Sequence, residues 1–205
     1  MRSLCDKVIQ HHLTARQTGN NILHRKTNIP IRPDIVTCFC DMTEVIIFAN
    51  PTLYTDIELK LNITFQEERL VCKAYSDFAE ILFSKGVTWP LIISFLAFSS
   101  CLAVECAKHG RSILVRSISD WATIFIIMRL RDWIVQNRCW NGALRYFEPK
   151  KQSSSLISER VIGDMMSIYR VYEKTVNRGV FGVFTVCVMY FLYWLIYVIF
   201  VQPAS

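Results

Sequence analysis

The sequence predicts an all-α fold: a helical bundle around a central apolar helical hairpin, with a C-terminal transmembrane helix. Three observations carry this. Chain breakers are scarce, with Gly 7 and Pro 6, and Pro90 is the only proline between Pro51 and Pro149, so long helices meet few interruptions. Val87 to Val104 carries no charge; after the basic turn Ala107 to Arg111, a second apolar stretch runs from Ile113 to about Met128. Finally, Val180 to Val201 holds no charge at all.

Composition narrows the function. Hydrophobic residues reach 52% and aromatics 13%, which is high for a freely soluble protein. The net charge of +6 is spread along the chain, without the clustered basic patch that nucleic acid needs, so no nucleic-acid partner is expected. An anionic membrane face is the better use of that charge. The eight cysteines form no CxxC pair and no His/Cys zinc spacing, so neither a metal nor a cofactor is expected. Several sit inside apolar helical patterns, where a free thiol acts as a small hydrophobe, and this suits the reducing cytosol. The N-terminus lacks an apolar core of signal-peptide length, so the sequon Asn62-Ile63-Thr64 reads as chance. With no GxSxG, HExxH or GxxxxGK[ST] pattern, no enzyme and no catalytic residue are expected. The four histidines show no ligand or catalytic spacing.

Taken in order, Asp6 to Gln17 is an amphipathic helix with Val8, Ile9 and Leu13 on one side. A basic linker, Thr18 to Arg32, follows. Proline is tolerated in a helix's first turn, and Pro33 opens a helix to about Phe48 that offers Val36, Phe39, Cys40 and Ile46 for burial. Asn50-Pro51 restarts the chain into a short helix, Thr52 to Lys60. From Gln66 to Phe83, Leu70, Ala74, Phe78 and Leu82 recur every fourth residue, flanked by Val71 and Ile81, a helical stripe that Gly86 ends. Thr88 then caps the central helix, with Trp89 and Pro90 in its first turn. That helix is apolar almost all round, the signature of burial in protein or lipid. Its partner places Leu114, Ile118, Trp121, Phe125 and Met128 on one stripe, with Arg116 and Asp120 at a spacing that lets them pair. After Trp140 a short helix reaches Phe147, a linker runs from Glu148 to Ser155, and a further amphipathic helix spans Leu156 to Arg178.

The final stretch reads as a membrane span. Its fourteen Val, Ile, Leu or Phe residues contribute about −6 kcal/mol at a bilayer centre before the polar members subtract, and its length is right. Val180, Phe191, Trp194 and Val201 mark this anchor. Arg170, Lys174 and Arg178 precede it, as the positive-inside bias prefers. The hairpin is the poorer candidate, because Arg116 and Asp120 are costly in lipid. A C-tail-anchored protein is therefore expected, inserted after synthesis into the mitochondrial outer or endoplasmic reticulum membrane, with its bulk in the cytosol.

Three motifs in order resemble those of the Bcl-2 family of apoptosis regulators. GVTWPLIISFLAF (Gly86 to Phe98) resembles the family's first homology motif. WIVQNRCW (Trp133 to Trp140), two tryptophans bracketing a helix break, resembles the second. VTCFCD (Val36 to Asp41) resembles the third, the death motif. The runs YTDIELKLNITFQEE, AEILFSKGVTW and LAVEC follow one pore-forming member in order and spacing. The resemblance covers roughly residues 34 to 147.

The resemblance implies a Bcl-2-like bundle with an apolar groove that takes an amphipathic partner helix. Its residues would include Phe78, Leu82, Gly86, Thr88, Trp89 and Phe95, closed at one end by Trp133, Ile134 and Trp140. The death motif would comprise Val36, Phe39, Cys40 and Asp41. Implied partners are other Bcl-2 family proteins, a second copy of the chain and intracellular membrane lipid. There are departures. Pro90 and Leu91 stand where the family usually has glycine and a basic residue that, in pro-survival members, pairs with the partner's aspartate. Arg32 and Thr43 fall on the outer apolar positions of the death motif, Cys40 replaces its glycine, and Arg138-Cys139 replaces the second motif's glycine pair. Bland readings stand beside these: Asp41 as an exposed helix residue, Thr88 as a cap, and the three tryptophans as packing.

The implied organisation is an N-terminal helix and basic linker (1–32), a bundle core (33–147), a linker with a membrane-proximal helix (148–178) and a tail anchor (179–205). Three functions fit: a pore-forming death effector, a pro-survival binding module, and a tail-anchored adaptor with no apoptotic role.

Overall fold

A computed structural model describes residues 1–19, 22–23, 31–49, 51–54, 57–58 and 64–148. Its helices are α1 (Arg2–Ala15), α2 (Pro33–Ala49), α3 (Pro51–Tyr54), α4 (Glu68–Leu82), α5 (Trp89–Lys108), α6 (Ser112–Phe125), α7 (Arg131–Gln136) and α8 (Cys139–Phe147); a π-helical segment, Ile126–Leu130, joins α6 to α7. There is no strand among the described residues. The expected linker beyond Glu148, the helix at 156–178 and the span at 180–201, with Val180, Phe191, Trp194 and Val201, lie outside them. So do most of the basic linker and the end of the expected helix at 52–60.

The bundle is organised around α5. Thr88 caps it as expected, its hydroxyl accepting from the Leu91 N–H at 3.4 Å, and every residue from Trp89 to Val104 is buried. At its far end Gly110 takes φ 72°. The Arg111 N–H returns to the Cys106 carbonyl at 2.8 Å and the Gly110 N–H to that of Ala107 at 2.9 Å. This glycine-closed turn lets α6 fold back along α5. α1, α2, α4 and α6 all pack against α5. It is the one described helix apolar and long enough to cross a membrane, yet most of that stretch is buried inside the fold.

Only half of the expected hairpin is central. α6 is an amphipathic outer helix: Leu114, Val115, Ile118, Ser119, Ala122 and Thr123 face inward, while Arg116 and Ile124 are exposed. The expected stripe fails after Ile118. Trp121 and Phe125 are half-buried, and Met128 is 74% exposed. The buried face is set before the π turn begins: Leu114, Val115, Ile118, Ser119, Ala122 and Ile126 share it, and at about 3.6 residues per turn it leads to Leu130 inward and Met128 outward. Asp120 accepts from Arg2 Nη2 at 2.9 Å, tying α6 to the start of α1.

α1 begins four residues before the expected Asp6, and Leu4, Cys5, Val8, Ile9, His12 and Leu13 form its buried face. On α4 the expected stripe is rotated. Val71, Tyr75, Ala79 and Leu82 are buried, while Leu70 is 44% exposed. Tyr75 wins the inward position because its ring packs among Phe95, Phe98 and Trp121 and its hydroxyl meets Ser99 Oγ at 2.8 Å. A buried phenol needs such a partner.

Candidate interaction site

The three motifs, far apart in the chain, converge on one knot of aromatic rings. Phe39 of α2, fully buried, stands edge-on to Trp140 of α8 with centroids 5.4 Å apart. Trp140 lies 6.2 Å from Trp89 at the head of α5, and Trp89 stands edge-on to Trp133 of α7 at 5.0 Å. Edge-to-face pairs at these distances add about 0.5–1.5 kcal/mol each beyond the area they bury. Ile134, next to Trp133 in the chain, is buried as well. One cluster thus joins α2, α5, α7 and α8.

Within the α2 motif, Ile35 and Phe39 point inward, Val36 is only half-buried, and Asp41 is exposed. The cause is the register of the helix, in which Ile35, Phe39, Cys40 and Thr43 share the buried face. Burial pushes the Cys40 thiol up to about 12, so it stays a neutral, small apolar group. Arg32, at the motif's first outer position, is exposed; its Nη1 donates to Asn141 Oδ1 at 2.9 Å and its Nε to Asp34 Oδ1 at 3.1 Å. Thr43, at the other outer position, is fully buried. Its hydroxyl donates to the Cys40 carbonyl at 2.8 Å and meets His12 Nε2 of α1, also at 2.8 Å. Since that single proton goes to the carbonyl, His12 Nε2 donates to Thr43. Burial, reinforced by the charges of His11 and Arg16, holds His12 down at about 4. Beside it, His11 Nε2 lies 2.6 Å from Glu44 Oε1. Sequence spacing missed this link, although His12 lies on the same helical face as Cys5, Val8 and Ile9 and so carried the signal.

The expected groove residues divide. Leu82, Trp89 and Phe95 are buried, Phe78 and Thr88 are half-buried, and Gly86 is exposed at φ 120°. Phe78 stacks on Phe98 with centroids 3.7 Å apart, Phe83 stacks on Phe125 at 5.6 Å, and Phe95 packs against both Phe83 and Phe125. Phe95 is therefore a core residue roofed by the protein's own rings. Pro90 and Leu91 are buried as well.

Residues 42–140 match the family model for apoptosis regulator proteins of the Bcl-2 family. The chain carries a Bcl-2 family domain. It is similar to the Bcl-2-related ovarian killer protein (Bok) of Gallus gallus, 30% identical over 93 residues, which are 45% of this chain and 44% of that protein. The human Bok protein is 28% identical over 95 residues, 46% and 45% of the two chains. Apoptosis regulator R1 of Xenopus laevis is 39% identical over 77 residues, 36% and 34%. The chain thus spans less than half the length of these curated relatives. The fold is similar to the crystal structure of chicken BOK, with TM-score 0.62 and 23% identity over 70% of this chain and 91% of that one. It is also similar to Trichoplax adhaerens trBcl-2L2 bound to trBak BH3, with TM-score 0.59 and 21% identity over 72% and 99%.

Both the first and second homology motifs fall inside the matched Bcl-2 segment, whereas Val36 to Asp41 lies just before it. In the second motif, Arg138 and Cys139 take φ 68° and 53°. They adopt there the left-handed backbone that glycine adopts at little cost, so this Bcl-2 domain makes its helix break without the usual glycines. Gly142 is the glycine it cannot replace. A Cβ there would stand 1.9 Å from the Asn137 carbonyl oxygen and 3.0 Å from the Trp89 ring, forcing the turn apart.

Proposed function

We propose that this chain is a Bok-like pro-apoptotic effector, anchored by residues 180–201, that permeabilises the mitochondrial outer membrane and meets its relatives through the groove and the α2 motif. The observation that carries the reading is the burial of Pro90 and Leu91 where pro-survival members of the family place a partner-pairing base. A death-motif aspartate docked beside Leu91 would lose its counter-charge, which penalises a pro-survival grip. The α2 helix meanwhile keeps Asp41 exposed and Phe39 stored against Trp140, an arrangement suited to a motif released on activation.

A second reading, a pro-survival relative that sequesters death-motif helices, is favoured by Arg32 and Thr43, which weaken α2 as a ligand. The BH3-bound Trichoplax neighbour suits it too. The full chain diluted from detergent into dye-loaded liposomes separates the two. Dye release supports the effector, and tight capture of death-motif peptides without release supports the second. Imaging a fusion of residues 179–205 tests the choice between mitochondrial and endoplasmic reticulum membranes.

A further inference from the structure

Arg32, just before α2, and Arg138 and Arg145, at the start and near the end of α8, surround a concavity of about 450 Å³ completed by Asn141, Leu144 and Glu148. Only Leu144 is apolar, so the wall is unsuited to a greasy ligand or the face of an amphipathic helix. Three guanidiniums stand against one carboxylate in the lining. Arg32 is held in place: Nη1 donates to Asn141 Oδ1, and Nε and Nη2 donate to the two oxygens of Asp34. These contacts use three of its five N–H groups and leave two to offer. Asp34, outside the lining, is kept below the usual carboxylate range by Arg32 and so offsets that one charge. Among the described residues no carboxylate pairs with Arg138 or Arg145.

We propose that this concavity binds a phosphorylated polyol, its phosphates on Arg138, Arg145 and the remaining N–H groups of Arg32, its hydroxyls on Glu148 and Asn141. The guanidinium fork matches phosphate oxygens two at a time. A bare phosphate would leave Glu148 facing an anion, whereas a polyol presents it with a donor. The volume falls within the range of about 300–1,000 Å³ usual for small-molecule sites. Arg138 supports the assignment, since an arginine keeps a left-handed backbone (φ 68°) that glycine would fill without strain, and strain of this kind collects where a side chain has work to do. The same chemistry is offered by a phosphoinositide headgroup in a membrane and by a free inositol phosphate.

The test uses the full chain in neutral detergent and its tryptophan fluorescence, to which Trp140, next to Asn141, contributes. Inositol 1,4,5-trisphosphate is titrated as the soluble probe, and phosphatidylinositol 4,5-bisphosphate in mixed micelles as the lipid one. Phosphatidylserine micelles of matched charge are the control. Saturable binding is expected for at least one phosphoinositol probe, weakened about tenfold or more in Arg138→Gly and in Arg145→Gln. Arg138→Gly suits the backbone it inherits, so its thermal unfolding should stay at or above that of the parent. Binding of the lipid alone assigns the site to a membrane, and binding of both probes assigns it to the headgroup as such. No saturation with either, equal response to phosphatidylserine, or undiminished binding in both variants would overturn the proposal.

Discussion

α5 and α6 are neighbours of similar apolar content, yet one is sheathed on every side and the other on one. α5 carries Ser94, Ser99 and Ser100 and is buried regardless, because the two fully buried hydroxyls, of Ser99 and Ser100, find acceptors within the helix. Ser99 Oγ donates to the Phe95 carbonyl at 2.7 Å and Ser100 Oγ to that of Leu96 at 2.8 Å. α6 carries Arg116 and Asp120, which have no such internal escape, and turns them outward. What separates core helix from surface helix here is therefore the kind of polar group, not the number of apolar ones. A serine can satisfy itself on the preceding turn; a charge must reach water or a partner.

The largest expected effect contrasts two phenylalanines in contact, Phe95 on α5 and Phe125 on α6, with centroids 5.2 Å apart. Phe95→Ala should cost about 3–5 kcal/mol in urea unfolding, the usual range for a fully buried ring. Phe125→Ala, half-buried, should cost less than half as much. Equal losses would make α6 as central as α5 and restore the symmetric hairpin.

Next in size is a pH effect that α5 cannot show. Its hydroxyls stay neutral, but α1 buries His12 against Thr43. With His12 at about 4 in the folded chain against an ordinary value near 6.5, the unfolded chain takes up the proton first. Its stabilising contribution is whole above about pH 6.5 and is lost as pH falls toward 4, by roughly 3 kcal/mol in total. Subtracting the pH profile of His12→Asn from that of the parent isolates this loss from the carboxylates. A flat difference between pH 6.5 and 4 would place His12 in water.

This contrast also explains what the sequence disclosed. α5 and its Thr88 cap were legible because an uncharged run and a cap residue speak locally, whereas Trp133 and Trp140 as the end of a groove beside Trp89 came only from the family resemblance. The faces of α4 and α6 were not. Leu70 outranks Tyr75 in hydrophobicity, but only Tyr75 reaches Ser99, a contact made across the fold. On α6 the inward face runs through Ser119, Ala122 and Thr123 rather than the bulkier Trp121 and Phe125, a choice that hydrophobicity alone does not announce. Thr43 looked like a flaw in the α2 motif until His12 supplied its partner from another helix. Arg138 and Cys139 were recognisable as replaced glycines, and the structure adds that the backbone stayed glycine-like beneath them.

A smaller effect probes the hydroxyls that let α5 be central. Ser99→Ala removes the group that meets the Tyr75 phenol in a site without water access. Leaving that phenol unpaired should cost about 1–2 kcal/mol. Combining it with Tyr75→Phe should recover part of the loss, since removing both partners leaves nothing unsatisfied. Additive losses in the double variant would mean the two hydroxyls act independently.

The smallest expected effect is the sharpest test of the outer helix. Met128 sits on the π segment, 74% exposed, although the expected stripe of Leu114, Ile118, Trp121, Phe125 and Met128 would turn it inward. Met128→Lys should therefore change stability by no more than about 0.5 kcal/mol, as for other surface sites. Were the expected stripe the buried one, the same change would bury an ammonium and cost several-fold more. Near-neutrality at Met128 thus reports the rotation of α6 directly, because the face that buries Ala122 and Ile126 brings Leu130 inward and leaves Met128 in solvent.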